Sequence, residues 1–204
     1  IKGKYLPNNG YYWSAYSDLY NHYGASSHDC ALANGNKLAN SEVTHDAPVK
    51  IGDVLYSDLE AAIAAAEAGQ TVTLLADINT PDVTYTIKNS VTIDLNGKTV
   101  KGSGYDGVFQ IDGENATLVI KGDGNVVAVE KSGSAGKYAM AIWVCERTAS
   151  VTINGGSFSQ EIEHTDDKQF DMIYTSAGKI TINGGHFESV TPKWTINCKD
   201  TAYK

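Results

Sequence analysis

Acidic side chains are concentrated in one segment of the sequence, between positions 161 and 171. Asp166 and Asp167 are adjacent there, and Asp171 lies nearby. Two close carboxylates can separate their pKa values, so that one acts as a general acid and the other as a general base on a sugar. Carboxylates also bind Ca²⁺, which makes a calcium loop a second interpretation. The plainest interpretation, which the sequence favours, is a solvated acidic insertion loop.

Arg147 is the only arginine in the chain. The 204 residues hold 16 Lys plus Arg against 24 Asp plus Glu, a net charge of −8. This balance provides no basic stripe for nucleic acid and no polybasic patch for a membrane surface. Arg147 precedes a strand-like segment at Val151, and we interpret it as a solvated turn residue paired with Glu146.

The N-terminal segment is rich in aromatic residues. Six of the twelve tyrosines and one tryptophan lie within the first 23 residues. Tyr12, Tyr16, Tyr20 and Tyr23 have helical spacing, so part of this segment is predicted to be helical. The candidates for a sugar-stacking platform or a docking surface are Tyr12, Trp13, Tyr16 and Tyr20, since Tyr and Trp dominate such contacts. The alternative is that they pack against the rest of the chain.

The helix with the strongest sequence signals is predicted at residues 58–68. Ser57 and Glu60 have the spacing of a capping box, in which Ser57 caps the first turn and Glu60 reaches back. Gly69 is expected at the C-cap. The predicted buried stripe consists of Leu59, Ala62, Ile63 and Ala66.

After Gly69 the pattern becomes strand-like and repetitive. Ser-Val-Thr-Ile-Asn-Gly-Gly-Ser-Phe at 150–158 recurs as Lys-Ile-Thr-Ile-Asn-Gly-Gly-His-Phe at 179–187. Repeats of about 25–30 residues that contain only strands and turns predict a solenoid of stacked coils with three short strands each. Two series of isoleucines are predicted to stack in its core: Ile93, Ile120, Ile153 and Ile182, and Ile87, Ile111, Ile142, Ile173 and Ile196.

The solenoid hypothesis has further consequences. Long loops are expected near 131–137 and 160–170, where the repeat lengthens, and Asn154 and Asn183 are expected to form a hydrogen-bonded ladder. Cys145 and Cys198 would be two coils apart, beyond disulfide reach, and are predicted to be separate core thiols. The cysteines match no zinc or Cys-x-x-Cys spacing, and no metal site is predicted.

The segment 51–75, with Gly52-Asp53, Tyr56, Leu59 and Ala62-Ile63, resembles the entry to right-handed parallel β-helix regions of the pectate-lyase-like kind. Such regions occur in bacterial surface proteins and in phage tail or fibre proteins. The resemblance covers about residues 48–204. It implies an all-β, right-handed parallel β-helix solenoid with an N-terminal capping α-helix, preceded by the aromatic-rich segment at 1–47.

The resemblance says little about activity, because this fold carries enzymes, adhesins and passive spacers alike. We predict a non-catalytic structural or binding module of an extracellular bacterial surface adhesin or phage fibre, which presents loops to glycans or host surfaces. The alternative is a polysaccharide-active lyase or hydrolase that uses Asp166, Asp167, Asp171 and Arg147, although the Gly-His-Gly, Arg-x-Lys and Gln-Asp motifs of related enzymes are missing from the sequence. No cofactor is implied, apart from the Ca²⁺ considered above. We expect the C-terminal end to be covered by further chain or by a partner subunit, including another copy of the chain.

Overall fold

The computed structural model describes residues 47–130, 138–162 and 170–199, together with the backbone of two short strands near the N terminus. Strands β1 (Tyr5–Leu6) and β2 (Tyr11–Tyr12) pair antiparallel, with Tyr5 opposite Tyr12. Tyr12 itself therefore lies in a strand, and the prediction that part of the segment 1–47 is helical otherwise concerns residues outside the described ones. The sequence between the strands is Pro-Asn-Asn-Gly, which favours a turn between two strands and competes with helical spacing.

From residue 47 onward the described chain is mainly β, with parallel strands in three sheets. Sheet I joins seven strands, and its first pairings, β3 with β4 and β3 with β5, are antiparallel. The isoleucine series that starts at Ile93 stacks in register through Ile182, as predicted. The strands of sheet I are β4 (Val54–Tyr56), β3 (Val49–Ile51), β5 (Thr71–Leu74), β8 (Val91–Asp94), β11 (Thr117–Lys121), β14 (Ser150–Ile153) and β17 (Lys179–Ile182).

Sheet II contains five parallel strands that alternate with those of the other sheets along the chain. Phe158 and Phe187, which end the two copies of the sequence repeat, are partners in register and stack with ring centroids 5.0 Å apart. The Asn154–Asn183 ladder is also confirmed, since Asn183 Nδ2 donates to Asn154 Oδ1 at 2.8 Å. The strands are β6 (Ile78–Thr80), β9 (Lys98–Ser103), β12 (Gly124–Val129), β15 (Ser157–Glu161) and β18 (His186–Glu188).

Sheet III corrects the second isoleucine series. Ile111 pairs with Ile87 on one side but with Val144 on the other, and Phe109 is the partner of Ile142. The slip of two residues keeps every one of these side chains on the inner face, because strand side chains alternate with a period of two. The strands are β7 (Tyr85–Ile87), β10 (Phe109–Ile111), β13 (Ile142–Val144), β16 (Ile173–Thr175) and β19 (Ile196–Cys198).

Neighbouring strands within sheets II and III are three strands apart in the chain, so the chain visits the three sheets in turn. This arrangement of stacked parallel strands is compatible with the predicted solenoid, and we call one circuit of three strands a coil. Buried Val, Ile, Leu and Phe side chains from all three sheets form one core. The predicted long loop near 131–137 lies outside the described residues, as do positions 163–169 of the loop predicted near 160–170, whose first residues belong to β15.

Helix α1 (Leu59–Ala65) contacts β3, β4 and β7 through the predicted buried stripe. Its ends differ from the prediction. Asp58, not Ser57, is the N-cap, and its carboxylate accepts from the Ala61 amide at 2.7 Å. The helix starts one residue later because Asp is at least as good a cap as Ser and occupies the required extended conformation. Ala66 is the C-cap, and Gly69, with φ of +86°, belongs to the turn that follows.

The last described coil exposes apolar side chains whose counterparts one coil earlier are buried. Ile196 is 50% exposed, whereas its partner Ile173 is 0% exposed. A cavity of about 530 Å³ opens against Ile180, Ile182 and Ile196. The expectation that this end is covered by further chain or by a partner stays a prediction.

The two described cysteines are unbonded, as predicted, but neither is a buried core thiol. Cys145 follows the inward-facing Val144 and is therefore turned toward the outer face, where it is half-buried. Cys198 is exposed because it belongs to the last described coil.

Candidate ligand-binding face

The outer face of sheet III carries one column of side chains that stack from coil to coil. In β13 and β16 the flanking residues are buried and the central residue is only half-buried, because side chains alternate between the two faces of a strand. The register places these central residues directly beside one another, about 4.8 Å apart along the sheet. The column consists of Thr86, Gln110, Trp143, Tyr174 and Asn197.

Trp143 and Tyr174 make the middle of this column aromatic. The Trp143 indole Nε1 donates to Ser176 Oγ at 3.0 Å, which fixes the orientation of the ring. The backbone of the preceding coil passes close to Trp143, since a Cβ on Gly107 would lie 3.0 Å from the Trp143 backbone nitrogen. Trp143 and Tyr174 are both only half-buried and keep part of their surface exposed.

Two further tyrosines extend the aromatic surface. Tyr105 follows β9 and Tyr138 precedes β13, and their rings meet edge to face with centroids 5.3 Å apart. Tyr138 is 45% exposed. Gly107, two residues after Tyr105, approaches the strand of Trp143, since a Cβ at this position would lie 3.0 Å from the Trp143 backbone nitrogen. We call Tyr105, Tyr138, Trp143 and Tyr174 the aromatic strip.

A carboxylate and an amide lie at one end of the aromatic strip. Asn197 Nδ2 donates to Asp171 Oδ1 at 3.0 Å. Burial raises the pKa of Asp171, and the hydrogen bond from Asn197 only partly offsets this effect. The pKa of Tyr174 is also raised, first by burial and then by the negative charge of Asp171. Asp171 therefore acts directly on the electrostatics of the strip.

Gln160 fixes the backbone on which Asp171 sits. Its Nε2 donates to the carbonyl oxygens of Ala139 at 2.8 Å and Asp171 at 3.2 Å. Its Oε1 accepts from the Val190 amide at 3.0 Å. The Gln160 side chain thus connects three segments of the chain that border the strip. Its partners are backbone groups, which do not depend on the side chains that these segments carry.

The structure describes two of the four predicted catalytic residues, Arg147 and Asp171. Asp166 and Asp167 lie outside the described residues, as does the rest of the segment 163–169. Arg147 is exposed in the turn after β13, whereas Asp171 precedes the parallel neighbour β16. The two residues therefore lie at opposite ends of the same pair of strands. Glu146 does not engage Arg147 in the described structure, because its carboxylate accepts from Thr148.

The predicted ligand-binding residues of the N-terminal segment are largely outside the described part of the chain. Trp13, Tyr16 and Tyr20 are not among the described residues, and Tyr12 is described only as a backbone position in β2. The assignment of these four residues to ligand binding stays a prediction.

Sequence reasoning missed Trp143, Tyr174 and Asn197 as functional candidates. A signal was present, because each of them directly follows an isoleucine of the second predicted series. If the isoleucines face inward, the next residue on each strand must face outward. The last three isoleucines of the series therefore indicate an outer column with two aromatic residues, whereas Ile87 and Ile111 are followed by Lys88 and Asp112, which do not belong to it.

Metal-binding clusters and membrane-spanning helices are two further features that bear on function. In the described ranges, no three His, Cys, Asp or Glu side chains come together in a way that could hold a metal ion. None of the described helices is long and apolar enough to cross a membrane.

No protein-family model, curated protein or solved structure matches this chain.

Proposed function

We propose that residues 48–204 form a right-handed parallel β-helix, with α1 covering its N-terminal end, that serves as a non-catalytic glycan-binding module on a cell surface or virion. The handedness is supported by the parallel connections between strands, which are right-handed in almost all known sheets. The cap is supported by the contacts of α1 with β3, β4 and β7.

One observation carries the binding role: Trp143 and Tyr174 are partners in register on an outer face and keep part of their rings exposed. An outward aromatic residue adds nothing to the inner core. Rings that are fixed in place offer a large apolar contact at small entropic cost, and the faces of sugar rings are suitable partners for them. The Asp171–Asn197 pair adds polar groups that can exchange hydrogen bonds with sugar hydroxyls.

Binding is tested first on a glycan array with the whole chain. We expect binding that falls about tenfold or more in Trp143→Ala and in Tyr174→Ala, the loss typical of an interface anchor. Val127→Ala is the matched control, since Val127 is a half-buried outer residue on sheet II. An array without hits, or equal losses in the control, would refute the role of the strip.

A polysaccharide-active enzyme is the second candidate, and the raised pKa of Asp171 is the observation that favours it. Reducing-sugar and unsaturated-uronate assays on the array hits and on acidic polysaccharides distinguish the two roles. Turnover that disappears in Asp166→Asn or Asp171→Asn would replace the binding module by the enzyme. Binding without turnover in either assay would support the binding module.

A further inference from the structure

Given the glycan-binding role proposed above, we propose that the aromatic strip takes uncharged glycans and that Asp171 excludes glycans that carry carboxylate or sulfate groups. Asp171 is the specificity-determining residue in this proposal, and the aromatic rings provide the contact area. The geometry that points to it is the position of a half-buried carboxylate at one end of the strip, held there by Asn197 at 3.0 Å.

Asp171 has a neutral hydrogen-bond partner and no cationic one among the described residues. The three ion pairs within the described ranges join other carboxylates to lysines. They are Lys88–Asp112, Lys101–Glu161 and Lys121–Asp94. The amide of Asn197 satisfies one oxygen of Asp171 but does not cancel its charge. Within the described ranges, a glycan bound at the strip would therefore meet a negative charge that has no cationic partner.

The effect of this charge on the strip is visible at Tyr174. Burial and, after it, the charge of Asp171 raise the pKa of the Tyr174 phenol, so both disfavour a second negative charge at that position. No lysine or arginine of the described chain contributes an opposing effect on Tyr174 or on Asp171. A ligand carboxylate stacked over Tyr174 would meet the same repulsion, which at a separation of about 7 Å and an effective dielectric constant between about 80 and 20 amounts to roughly a 3- to 50-fold loss of affinity.

Hydrogen bonding adds to the same selectivity. An ionised carboxylate accepts hydrogen bonds but cannot donate them, so Asp171 can pair with a sugar hydroxyl and cannot pair with a sugar carboxylate or sulfate. Partial burial strengthens this preference, because water is less able to replace the missing partner. Neutral sugars, which carry a donor on each free hydroxyl, satisfy Asp171 directly.

The test uses matched pairs of ligands that differ only in the group at C6. The probes are β-1,4-linked hexasaccharides of glucose, mannose and galactose, each as the neutral compound and after oxidation of its C6 hydroxyls to carboxylates. Affinities are measured by titration calorimetry with the whole chain. We expect at least one neutral hexasaccharide to bind about tenfold or more tightly than its oxidised form. Tighter or equal binding of the oxidised forms would overturn the proposal.

Two variants locate the selectivity at Asp171. Asp171→Asn keeps an oxygen that can accept from Asn197 and removes the charge, so the affinity ratio of a pair should fall to about threefold or less. Asp112→Asn, which removes an exposed carboxylate from the segment after β10, is the matched control and should keep the ratio. An unchanged ratio in Asp171→Asn would refute the role assigned to this residue.

A second measurement keeps the test valid if Asp171→Asn does not fold. Raising the salt concentration from about 0.02 M to about 0.3 M shortens the range of electrostatic repulsion and should bring the two affinities of each pair together. A ratio that is independent of salt would contradict exclusion by charge. Absence of binding by all six compounds would refute the glycan-binding role itself, whereas equal binding within pairs refutes the selectivity alone.

Discussion

Gln160 offers a direct test of how the segments around the aromatic strip are held together. Its amide nitrogen faces the carbonyl oxygens of Ala139, Phe170 and Asp171, at 2.8, 3.4 and 3.2 Å. The change Gln160→Glu keeps the size and shape of the side chain. It replaces a donor of two hydrogens by an acceptor-only carboxylate that points at three acceptors.

The expected cost follows from this count of groups. An amide nitrogen has two hydrogens, so at most two of the three carbonyl groups are well bonded at one time. Loss of two donor bonds at a net value of about 1 kcal/mol each, together with the cost of partly buried acceptors left without donors, gives about 2–4 kcal/mol. The two bonds accepted by Gln160 Oε1, from Ser189 Oγ and the Val190 amide, can survive in the variant.

Urea denaturation followed by circular dichroism measures the change in the free energy of unfolding. With an m-value of about 2 kcal/mol/M, the midpoint should fall by roughly 1–2 M. Gln110→Glu is the matched control, because among the described residues Gln110 makes one side-chain hydrogen bond, which it accepts from Thr86 at 3.3 Å and which a carboxylate can also accept. Its cost should stay within about 0.5 kcal/mol. Equal midpoints for the two variants would refute the argument.

Three further predictions concern single groups. Burial raises the pKa of Cys145 to about 12, which leaves little reactive thiolate at pH 8. In a Cys30→Ser background we therefore expect Cys198 to react with an aromatic disulfide reagent at pH 8 at least tenfold faster than Cys145. Similar reaction rates of the two thiols would contradict this prediction. Because the pKa of Asp171 is raised in the folded chain, its ionisation opposes folding. The wild type should therefore gain stability relative to Asp171→Asn as the pH falls from 7 through that pKa. A stability difference between the two proteins that is the same at pH 7 and below the pKa, measured by urea denaturation, would contradict this prediction. A Cβ on Gly113 would overlap the backbone of the preceding coil, so Gly113→Ala should cost about 1–3 kcal/mol and lower the Tm by several degrees, and an unchanged melting curve would show that the coils can move apart.

The inner side of the fold was predictable because its residues are constrained by stacking. Ile93, Ile120, Ile153 and Ile182 recur in a β-rich context, and the register joins them as expected. The second series was only partly right, since Phe109 and not Ile111 faces Ile142. A search for isoleucines cannot detect this slip, because any large apolar residue on the same face of a strand can fill the core.

Local signals at chain ends and turns were less reliable than the repeat. Ser57 and Glu60 have the pattern of a capping box, but Asp58 is an equally good cap one residue later, and packing of Leu59 and Ile63 decides where the helix begins. Tyr12 has helical spacing to Tyr16, but its backbone pairs with β1. A short-range sequence pattern is compatible with several conformations of similar energy, and tertiary pairing selects one of them.

The candidate site was harder to predict than the fold, and the alternation of strands explains why. Outer positions escape the packing constraint, so Gln110, Trp143, Tyr174 and Asn197 share no residue type even though they form one column. Only the strand register aligns these residues with one another. Because of the two-residue slip at Ile111, a constant spacing in the sequence does not reveal this register. The same freedom makes the strip experimentally accessible. A change from Trp143 to Ala removes an outer ring and one hydrogen bond to Ser176 but leaves the inner column intact. Loss of binding in a variant that still folds would therefore report on the strip itself and not on the core beneath it.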